Sequence, residues 1–353
     1  MSAHTRSISL LLLAALALAC GESPNAPVRD VVEPAAGLVG SGYAMSDLGT
    51  PLPCADGKAN AINDDGDIIV GWTCGVATAW YGNGGPVVIG TLPGHTWSYG
   101  YAVNNSGQIV GSSGPDPFGG GGQAYIYTPG TGMVSIHDPA LFMVSYATAI
   151  NNAGVVVGWG RTLAFQHRAF KWTEADGMEL LPRNHAYATD INDTGTIVGY
   201  VSSLIERSGV IWSGILSSLT GTMGGDKSIA LGVNDADLVV GMSELDDFVT
   251  IHAFRYTLSA VARKFADLGP PASSHSEAYK ISDRDRIVGF SGSPAKAITW
   301  YKGVRSYLPD LGAWSSARDV SRCGTIVGIA GTPVGSLQRP VRWDSQNGDC
   351  GRS

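Results

Sequence analysis

The densest group of acidic side chains in this sequence lies in the short stretch Asn63-Asp64-Asp65-Gly66-Asp67. Calcium takes six to eight oxygen ligands, and Asp-rich turns can supply several of them. No acidic residue follows at the distance where a calcium loop places its bidentate Glu. Two interpretations remain open: a weak calcium site formed by Asp64, Asp65 and Asp67, or an ordinary turn in which Asn, Asp and Gly satisfy the backbone. No other cofactor is expected.

A second group consists of aromatic and charged residues at or near one recurring position, five residues before a repeated Asn. Aromatic rings with polar neighbours on a concave surface can stack against sugars or peptide side chains. Rings at such positions can equally serve as packing. The ligand-binding candidates are Trp97, Tyr99, Tyr146, Tyr187, Glu277 and Trp314.

No stretch of the sequence brings together an acid, a base and a nucleophile. The motifs G-x-S-x-G, H-E-x-x-H and G-x-x-x-x-G-K are absent from the sequence, and with them the usual signatures of serine hydrolases, zinc proteases and phosphate loops. His95, His185 and His275 fall in equivalent connections, which predicts that they are spread around a ring and too far apart to share a metal ion. No catalytic residue is therefore assigned.

The elements that hold these residues come from a phrase that occurs seven times along the chain. The first four copies have an apolar strand end, a turn of the type Asn-[Asn/Asp]-x-Gly and a β-branched pair, which is typical of a β-hairpin, and the last three are weaker versions in which Asp237 and Asp285 replace two of the glycines. The closing glycines of successive copies are 39 to 48 residues apart, a spacing typical of β-propeller blades. The copies read AINDDGDIIVG, AVNNSGQIVG, AINNAGVVVG, DINDTGTIVG, GVNDADLVVG, KISDRDRIVG and DVSRCGTIVG.

Two further strands follow each phrase, so that each unit contains four short strands and almost no helical apolar period. The third strand carries one aromatic residue in step with the repeat, which predicts packing between neighbouring sheets. The fold class is therefore all-β, a seven-bladed β-propeller of four-stranded antiparallel blades. The aromatic residues are Trp80, Tyr127, Trp172, Trp212, Tyr256, Trp300 and Trp343.

The seventh unit ends at QNGDCGRS without a fourth strand, and the missing strand is predicted at the other end of the chain. Residues 42–50, GYAMSDLGT, resemble the fourth strands RSYLPDLGA and ARKFADLGP. We therefore expect this N-terminal strand to complete the last blade and close a propeller that spans residues 42–353. Closure would remove the open sheet edges that invite aggregation.

Four cysteines lie in the predicted propeller, an even number that suggests disulfides in an exported chain. Cys54 and Cys74 flank the first hairpin and are expected to pair. Cys323 and Cys350 lie at the same end of the last blade and form the second expected pair. A pairing of Cys350 with Cys54 remains an alternative.

The N-terminus has a short basic region, an apolar run and the sequence LALACG, so residues 1–19 are interpreted as a signal peptide. LALACG resembles the lipobox of bacterial lipoproteins, in which the cysteine, here Cys20, is acylated. Ala17 departs from the usual Leu, which leaves a plain signal peptide as the alternative. Residues 20–41 are interpreted as the lipidated Cys and a flexible tether. This predicts a protein anchored in the bacterial cell envelope, facing the periplasm or the exterior.

The net charge is −7, and charged residues make up 15% of the chain. Binding to nucleic acid requires clustered Lys and Arg, which the sequence lacks, so nucleic acid is not an expected partner. Besides the membrane, the expected partner is a glycan, a peptide or a protein, and the expected oligomeric state is a monomer.

The phrase HAFRYT from His252, with its relatives HRAFKWT and QAYIYT and the Asn-Asp-x-Gly phrases, resembles the bacterial extracellular HAF-repeat proteins. The resemblance covers residues 42–347, and His-Ala-Phe is intact only at His252–Phe254. It implies export and a repeated β architecture. It implies no reaction and no catalytic residue.

Three classes of function remain from the sequence. The favoured one is a membrane-anchored binding or scaffold module, because no loop gathers catalytic groups. The second is a polysaccharide lyase or hydrolase with its site at the channel mouth, using Tyr99, Tyr146, Tyr187 or His185. The third is a structural envelope protein.

Overall fold

The computed structural model describes residues 29–31, 42–51, 54–116, 121–203, 206–214, 216–258, 263–270, 274–333 and 337–346. Every regular element within these ranges is a β-strand. The same ranges contain no helix with the length and apolar character needed to cross a bilayer. The interpretation of residues 1–19 and of Cys20 lies outside the described residues.

The strands alternate with short turns along the whole described chain. Strands of the N-terminal half are β1 Arg29–Val31, β2 Tyr43–Asp47, β3 Gly57–Ile62, β4 Ile68–Thr73, β5 Val76–Tyr81, β6 Pro86–Gly90, β7 Trp97–Val103, β8 Ile109–Gly114, β9 Gln123–Thr128, β10 Gly132–Ser135, β11 Phe142–Ile150, β12 Val156–Thr162, β13 His167–Thr173 and β14 Gly177–Leu180. Those of the C-terminal half are β15 Ala186–Ile191, β16 Ile197–Ser202, β17 Arg207–Ser213, β18 Leu216–Leu219, β19 Gly224–Val233, β20 Leu238–Leu245, β21 Ile251–Leu258, β22 Arg263–Asp267, β23 Ser276–Ile281, β24 Ile287–Ser291, β25 Lys296–Tyr301, β26 Val304–Tyr307, β27 Ser315–Val320, β28 Ile326–Gly331 and β29 Gln338–Ser345.

The strands form antiparallel meanders of four. Five of the sheets have four strands each: β3–β6, β7–β10, β11–β14, β23–β26, and β27–β29 with β2. The sixth sheet has nine strands and contains two more meanders, β15–β18 and β19–β22, together with β1. A single parallel pair, Arg207 with Lys227, joins these two meanders. The prediction of an all-β fold of four-stranded antiparallel sheets is therefore confirmed.

The repeated turn owes its sequence to backbone geometry. In the first copy the Gly66 amide donates to the Asn63 carbonyl at 3.0 Å, and the Asn63 side-chain oxygen accepts from the amides of Asp67 and Ile68. Gly66 has a φ of 81°, which glycine adopts readily. Where Asp237 and Asp285 replace this glycine they also have positive φ, 58° and 61°, a conformation that Asp tolerates better than most residues.

The repeated Asn also links one unit to the next. Its Nδ2 donates to a backbone carbonyl in the following turn, from Asn104 to Asn151, from Asn151 to Asn192, from Asn192 to Asn234 and from Asn234 to Ser282, at 2.8 to 3.2 Å. The four Asn side chains are buried. Because a buried amide without a partner is costly, this chain of bonds fixes the turns against each other and explains why the sequence repeats Asn.

The aromatic residue of the third strand provides a second contact between neighbouring units. Trp80, Trp212, Tyr256, Trp300 and Trp343 are buried, whereas Tyr127 and Trp172 are half-buried. Four indole N–H groups donate to a carbonyl at the end of the preceding fourth strand: Trp80 to Gly49, Trp212 to Pro182, Trp300 to Leu268 and Trp343 to Pro309, at 2.8 to 3.3 Å. The predicted packing role of these residues therefore includes a polar contact between sheets.

The N-terminal strand β2 pairs with β29 of the last unit, as the sequence predicts for residues 42–50. The register runs antiparallel from Tyr43 opposite Ser345 to Asp47 opposite Val341. Just beyond β2, Gly49 accepts the Trp80 indole of the first unit at 3.3 Å. The last sheet thus contacts the first sheet through the same kind of bond that joins other neighbours.

The cysteines agree with this arrangement. Cys54 and Cys74 form a disulfide with a Cα–Cα distance of 5.9 Å, so this predicted pair is confirmed and the alternative of Cys350 bonded to Cys54 is wrong. Cys323 is also disulfide-bonded. Cys350 lies outside the described residues.

Candidate functional site

One residue in each inner strand is turned out of the regular pairing by a β-bulge. The inner strands are the first strands of the units: β3, β7, β11, β15, β19, β23 and β27. In each of them the register shifts around the residue three before the repeated Asn or its equivalent, for example between Ala59 and Ala61. A bulge sets two residues against one and re-aims the extra side chain. The bulge residues are Asn60, Tyr101, Thr148, Thr189, Leu231, Tyr279 and Arg318.

All seven bulge residues line a single cavity of about 500 Å³, which we call the central cavity. Its wall is completed by Lys58, Tyr146, Trp159 and Lys280. The volume falls within the range of small-molecule sites, about 300 to 1,000 Å³. The inner strands thus converge on a space that could hold a ligand.

Three of the bulge residues tie neighbouring inner strands together. Asn60 Nδ2 donates to the Gly100 carbonyl at 2.7 Å. The hydroxyls of Thr148 and Thr189 donate to the carbonyls of Ala188 and Ala230, at 2.9 and 2.8 Å. These bonds hold the rim of the cavity rigid, which suits a preformed site.

A series of ring contacts, which we call the aromatic arc, includes the cavity residues Tyr101, Tyr146 and Trp159. Tyr146 and Trp159 stack with centroids 4.6 Å apart, Trp159 meets Tyr187 at 5.1 Å, and Tyr187 stacks on Tyr200 at 4.6 Å. In the first two units Tyr99 contacts other rings at 5.5 and 6.4 Å. The members of the arc are Trp72, Tyr99, Tyr101, Tyr146, Trp159, Tyr187 and Tyr200, all of them half-buried.

The predicted tyrosines therefore lie in this arc, whereas the two predicted tryptophans have packing contacts. Trp97 is 7% exposed and lies over Gly114, where a Cβ would approach its ring to 2.5 Å. Trp314 covers Gly331 in the same way, at 2.4 Å. Only Gly leaves room for these indoles. Trp97 also contacts the Tyr99 ring at 5.1 Å, but neither Trp97 nor Trp314 lines the central cavity, so we do not include them in the candidate site.

Two cations, Lys58 and Arg318, also line the cavity. Arg318 is stacked over the Tyr279 ring at 4.4 Å, and its Nε is buried without a hydrogen-bond partner. Burial and the positive charge of Arg318 together lower the pKa of Lys58 to about 7. Among the described residues neither cation forms an ion pair.

The predicted residue Glu277 belongs to this charged side but not to the cavity wall. Burial raises the pKa of its carboxyl, and Tyr279 and Arg318 act in the opposite direction. Glu277 pairs with Phe290 across β23 and β24, at the position equivalent to Tyr146 opposite Trp159. The repeat therefore places an acid here where other units carry an aromatic ring.

The floor of the cavity is a buried ion cluster. Lys280 Nζ lies 2.5 Å from Asp190 Oδ1, and Asp190 and Asp319 each accept a backbone N–H from a neighbouring unit, Val233 and Ile62, at 3.0 Å. Burial acts to lower the pKa of Lys280, but the carboxylates of Asp190, Asp319 and Asp64 together outweigh it and the pKa is raised. Burial raises the pKa of Asp319 to about 6. The cluster separates the central cavity from a smaller one of about 100 Å³ among the turns.

The three acids proposed for calcium do not converge. Asp64 accepts from Asn152 Nδ2 at 3.0 Å, across the group of turns. Asp67 accepts from Asn63 Nδ2 at 2.7 Å, and Asp65 is exposed. Within the described ranges no three His, Cys, Asp or Glu residues are placed to hold a metal ion. The geometry fits the turn interpretation.

The predicted loop histidines lie outside the cavity wall. His185 is exposed, His95 Nδ1 is 3.1 Å from Ser113 Oγ, and His275 Nδ1 accepts the Ile251 amide at 3.1 Å. His252 of the His-Ala-Phe phrase is buried and bonds to Asp267 at 2.9 Å. We find no histidine of this group positioned against the aromatic arc.

Comparison with known proteins identifies the fold. No protein-family model matches the sequence. No curated protein matches it either. Among solved structures it is similar to puromycin hydrolase, with a TM-score of 0.58 and 10% identity over 88% of this chain and 55% of that one. It is also similar to an acylaminoacyl peptidase from Pyrococcus horikoshii, with a TM-score of 0.53 and 10% identity over 83% of this chain and 53% of that one.

The architecture is β-propeller-like. Both similar structures are β-propeller proteins, and four-stranded antiparallel meanders are the unit of such folds. The chain spans about half the length of these two proteins, 55% and 53%. At 10% identity the likeness concerns the fold alone, so any function must come from the cavity itself.

Proposed function

We propose that the chain forms a closed seven-bladed β-propeller that serves as a binding module, with a glycan as the ligand of the central cavity. The observation that carries the proposal is the aromatic arc, in which the cavity residues Tyr146 and Trp159 continue through ring contacts to the half-buried Tyr187 and Tyr200. Closure is supported by the strand pair β2–β29 and by the Trp80 to Gly49 bond.

A carbohydrate suits this wall better than a peptide does. Aromatic faces pack against the flat C–H face of a sugar ring, while hydroxyl and amide groups nearby bond to its oxygens. Tyr101, Tyr279 and Thr148 bring such hydroxyls to the same cavity. The inner strands are bulged, and Asn60, Thr148 and Thr189 bond to carbonyls of neighbouring inner strands, so these strands offer no regular edge on which an extended peptide could add a strand.

The proposal places the protein in the bacterial cell envelope, anchored by a lipid on Cys20. The Cys54–Cys74 disulfide supports an oxidising compartment. The variant Cys20→Ser should leave the membrane fraction, because an acyl anchor contributes about 0.8 kcal/mol for each buried methylene. Retention of the variant in the membrane fraction would refute the anchor without affecting the glycan proposal.

A glycan array followed by calorimetry tests the binding proposal. The parent protein should bind at least one saccharide, and Trp159→Ala should lose that binding, whereas Trp159→Phe should retain part of it. Phe165→Ala provides a matched control, because Phe165 is 67% exposed in the hairpin of the same sheet. Thermal melting of each variant separates loss of binding from loss of folding.

Two other outcomes would support the remaining classes of function, an enzyme or a structural protein. Cleavage of a bound polysaccharide would make the protein a lyase or hydrolase. An absence of binding to any saccharide, peptide or protein tested would favour a structural role in the envelope and would overturn the proposal.

A further inference from the structure

We propose that Lys58 and Arg318 form an anion subsite in the central cavity, so that the preferred glycan carries a carboxylate, as uronic acids do. This inference rests on the proposed glycan function and adds the chemical class of the ligand. It depends on two cations that line one cavity and that form no ion pair among the described residues.

The two side chains come from neighbouring inner strands. Lys58 lies on β3 of the first unit, and Arg318 is the bulge residue of β27 in the last unit. These strands are adjacent, since the Asp319 carboxylate next to Arg318 accepts the Ile62 amide of β3 at 3.0 Å. The junction that closes the ring thus brings both cations to the same part of the wall.

Lys58 and Arg318 are half-buried, and a charge that is partly removed from water without a partner is costly. Arg318 Nε has no hydrogen-bond partner, and no ion pair of either cation is found among the described residues. A stacking contact with Tyr279 at 4.4 Å leaves the edge of the guanidinium, where its N–H donors lie, available to a planar anion. A ligand carboxylate in the cavity would supply the missing counter-ion.

The other charged groups near the cavity already have partners or are weakened as anions. Lys280 is paired with Asp190, and Asp319 accepts two backbone N–H groups, from Ile62 and Val320. Burial raises the pKa of Glu277, which reduces its ability to neutralise Arg318. Among the described residues near the cavity, Lys58 and Arg318 are therefore the cations available to pair with a ligand.

A uronic acid would contact both sides of the cavity at once. Its ring carries a flat apolar face for Tyr146 and Trp159, and its carboxylate projects from the ring towards the cations. A neutral sugar would leave the cations unpaired. A free carboxylic acid would lack the ring face for the aromatic arc. The combination of the two walls thus selects an acidic sugar.

Calorimetry with matched ligands tests the subsite. The probes are trisaccharides of galacturonate, glucuronate or mannuronate and their carboxyl-reduced neutral counterparts. At least one acid form should bind about ten-fold or more tightly than its reduced form, which is about 1.4 kcal/mol. Lys58→Met and Arg318→Met should each remove that difference. Lys302→Met, which changes an exposed lysine, should leave it unchanged.

The outcomes separate this inference from the proposed function. Equal binding of acid and reduced forms would overturn the anion subsite and leave the glycan function standing. Binding of neither form, or of any other saccharide, would overturn both. Preference for sulfated sugars over uronates would refute the carboxylate assignment.

Proton uptake provides a second readout that a merely structural role of Lys58 would not produce. Because the pKa of Lys58 is lowered to about 7, a bound carboxylate should raise it and draw a proton from the buffer at pH 7.5. Calorimetry in two buffers of different ionisation enthalpy measures this uptake. It should be present in the parent and in Lys302→Met and absent in Lys58→Met. Carboxylate binding without proton uptake in the parent would overturn the role of Lys58.

Discussion

The guanidinium of Arg318 lies 4.4 Å from the centre of the Tyr279 ring, and both are bulge residues of neighbouring inner strands. Neither residue is fixed by secondary structure alone, because the bulge releases its side chain from the regular pairing. Stacking holds the cation in place before any ligand arrives. The central cavity is therefore preorganised on its charged side as well as along the aromatic arc.

The chain of buried asparagines should be essential for stability. Asn192 Nδ2 donates to the Asn234 carbonyl and to Asp237 Oδ1, and its Oδ1 accepts the Thr196 amide. Asn192→Ala would leave these buried groups unpaired and should lower the free energy of unfolding by about 2 to 3 kcal/mol. Urea denaturation measures the change. Asn184→Ala, at an exposed position, is the control and should change it by less than about 0.5 kcal/mol.

Ring closure can be tested by comparing two equivalent tryptophans. Trp343→Phe removes the bond to Pro309 between consecutive units, and Trp80→Phe removes the bond to Gly49 between the first and last units. If the ring is closed, both should lower the free energy of unfolding by a similar amount, about 1 to 2 kcal/mol. A destabilising Trp343→Phe beside a neutral Trp80→Phe would mean that the first and last units do not meet in solution.

The stability of the ligand-free protein should rise with pH because of Lys58. Burial and the charge of Arg318 lower its pKa from 10.5 to about 7. Between these values the unfolded chain holds a proton that the folded chain has released, so the free energy of unfolding increases as pH rises. The other charged or titratable groups around the cavity are those of Arg318, Glu277 and the Lys280–Asp190–Asp319 cluster.

Lys58→Met isolates this effect. At pH 6 the variant should be about 1 to 2 kcal/mol more stable than the parent, because it no longer buries a charge, and the difference should narrow by pH 9. Lys302→Met should follow the parent across the range. If the free energies of unfolding of Lys58→Met and the parent differed by the same amount at all pH values, Lys58 would have the same pKa in the folded and unfolded chains, which would contradict the prediction.

Much of the fold could be predicted from the sequence because it depends on local chemistry. Asn and Gly mark each turn, one aromatic residue marks each third strand, and residues 42–50 resemble a fourth strand. The strand β1 was not predicted, since Arg29–Val31 lies in a proline-containing stretch without an apolar period.

The site was predicted only in part. Tyr99, Tyr146 and Tyr187 were found from their position five residues before the repeated Asn or its equivalent. The residues three before it, such as Tyr101 and Arg318, line the cavity together with Tyr146, and the two-residue period of a strand could have indicated them. The Lys280–Asp190–Asp319 cluster joins three separate sheets, so only the assembled fold brings it together.

The most direct test is a crystal structure of the mature protein with the saccharide that binds it most tightly. The account predicts a sugar ring against Tyr146 and Trp159 in the central cavity, with a carboxylate directed towards Lys58 and Arg318. A saccharide bound on the outer strands or among the turns, with the central cavity empty, would contradict it.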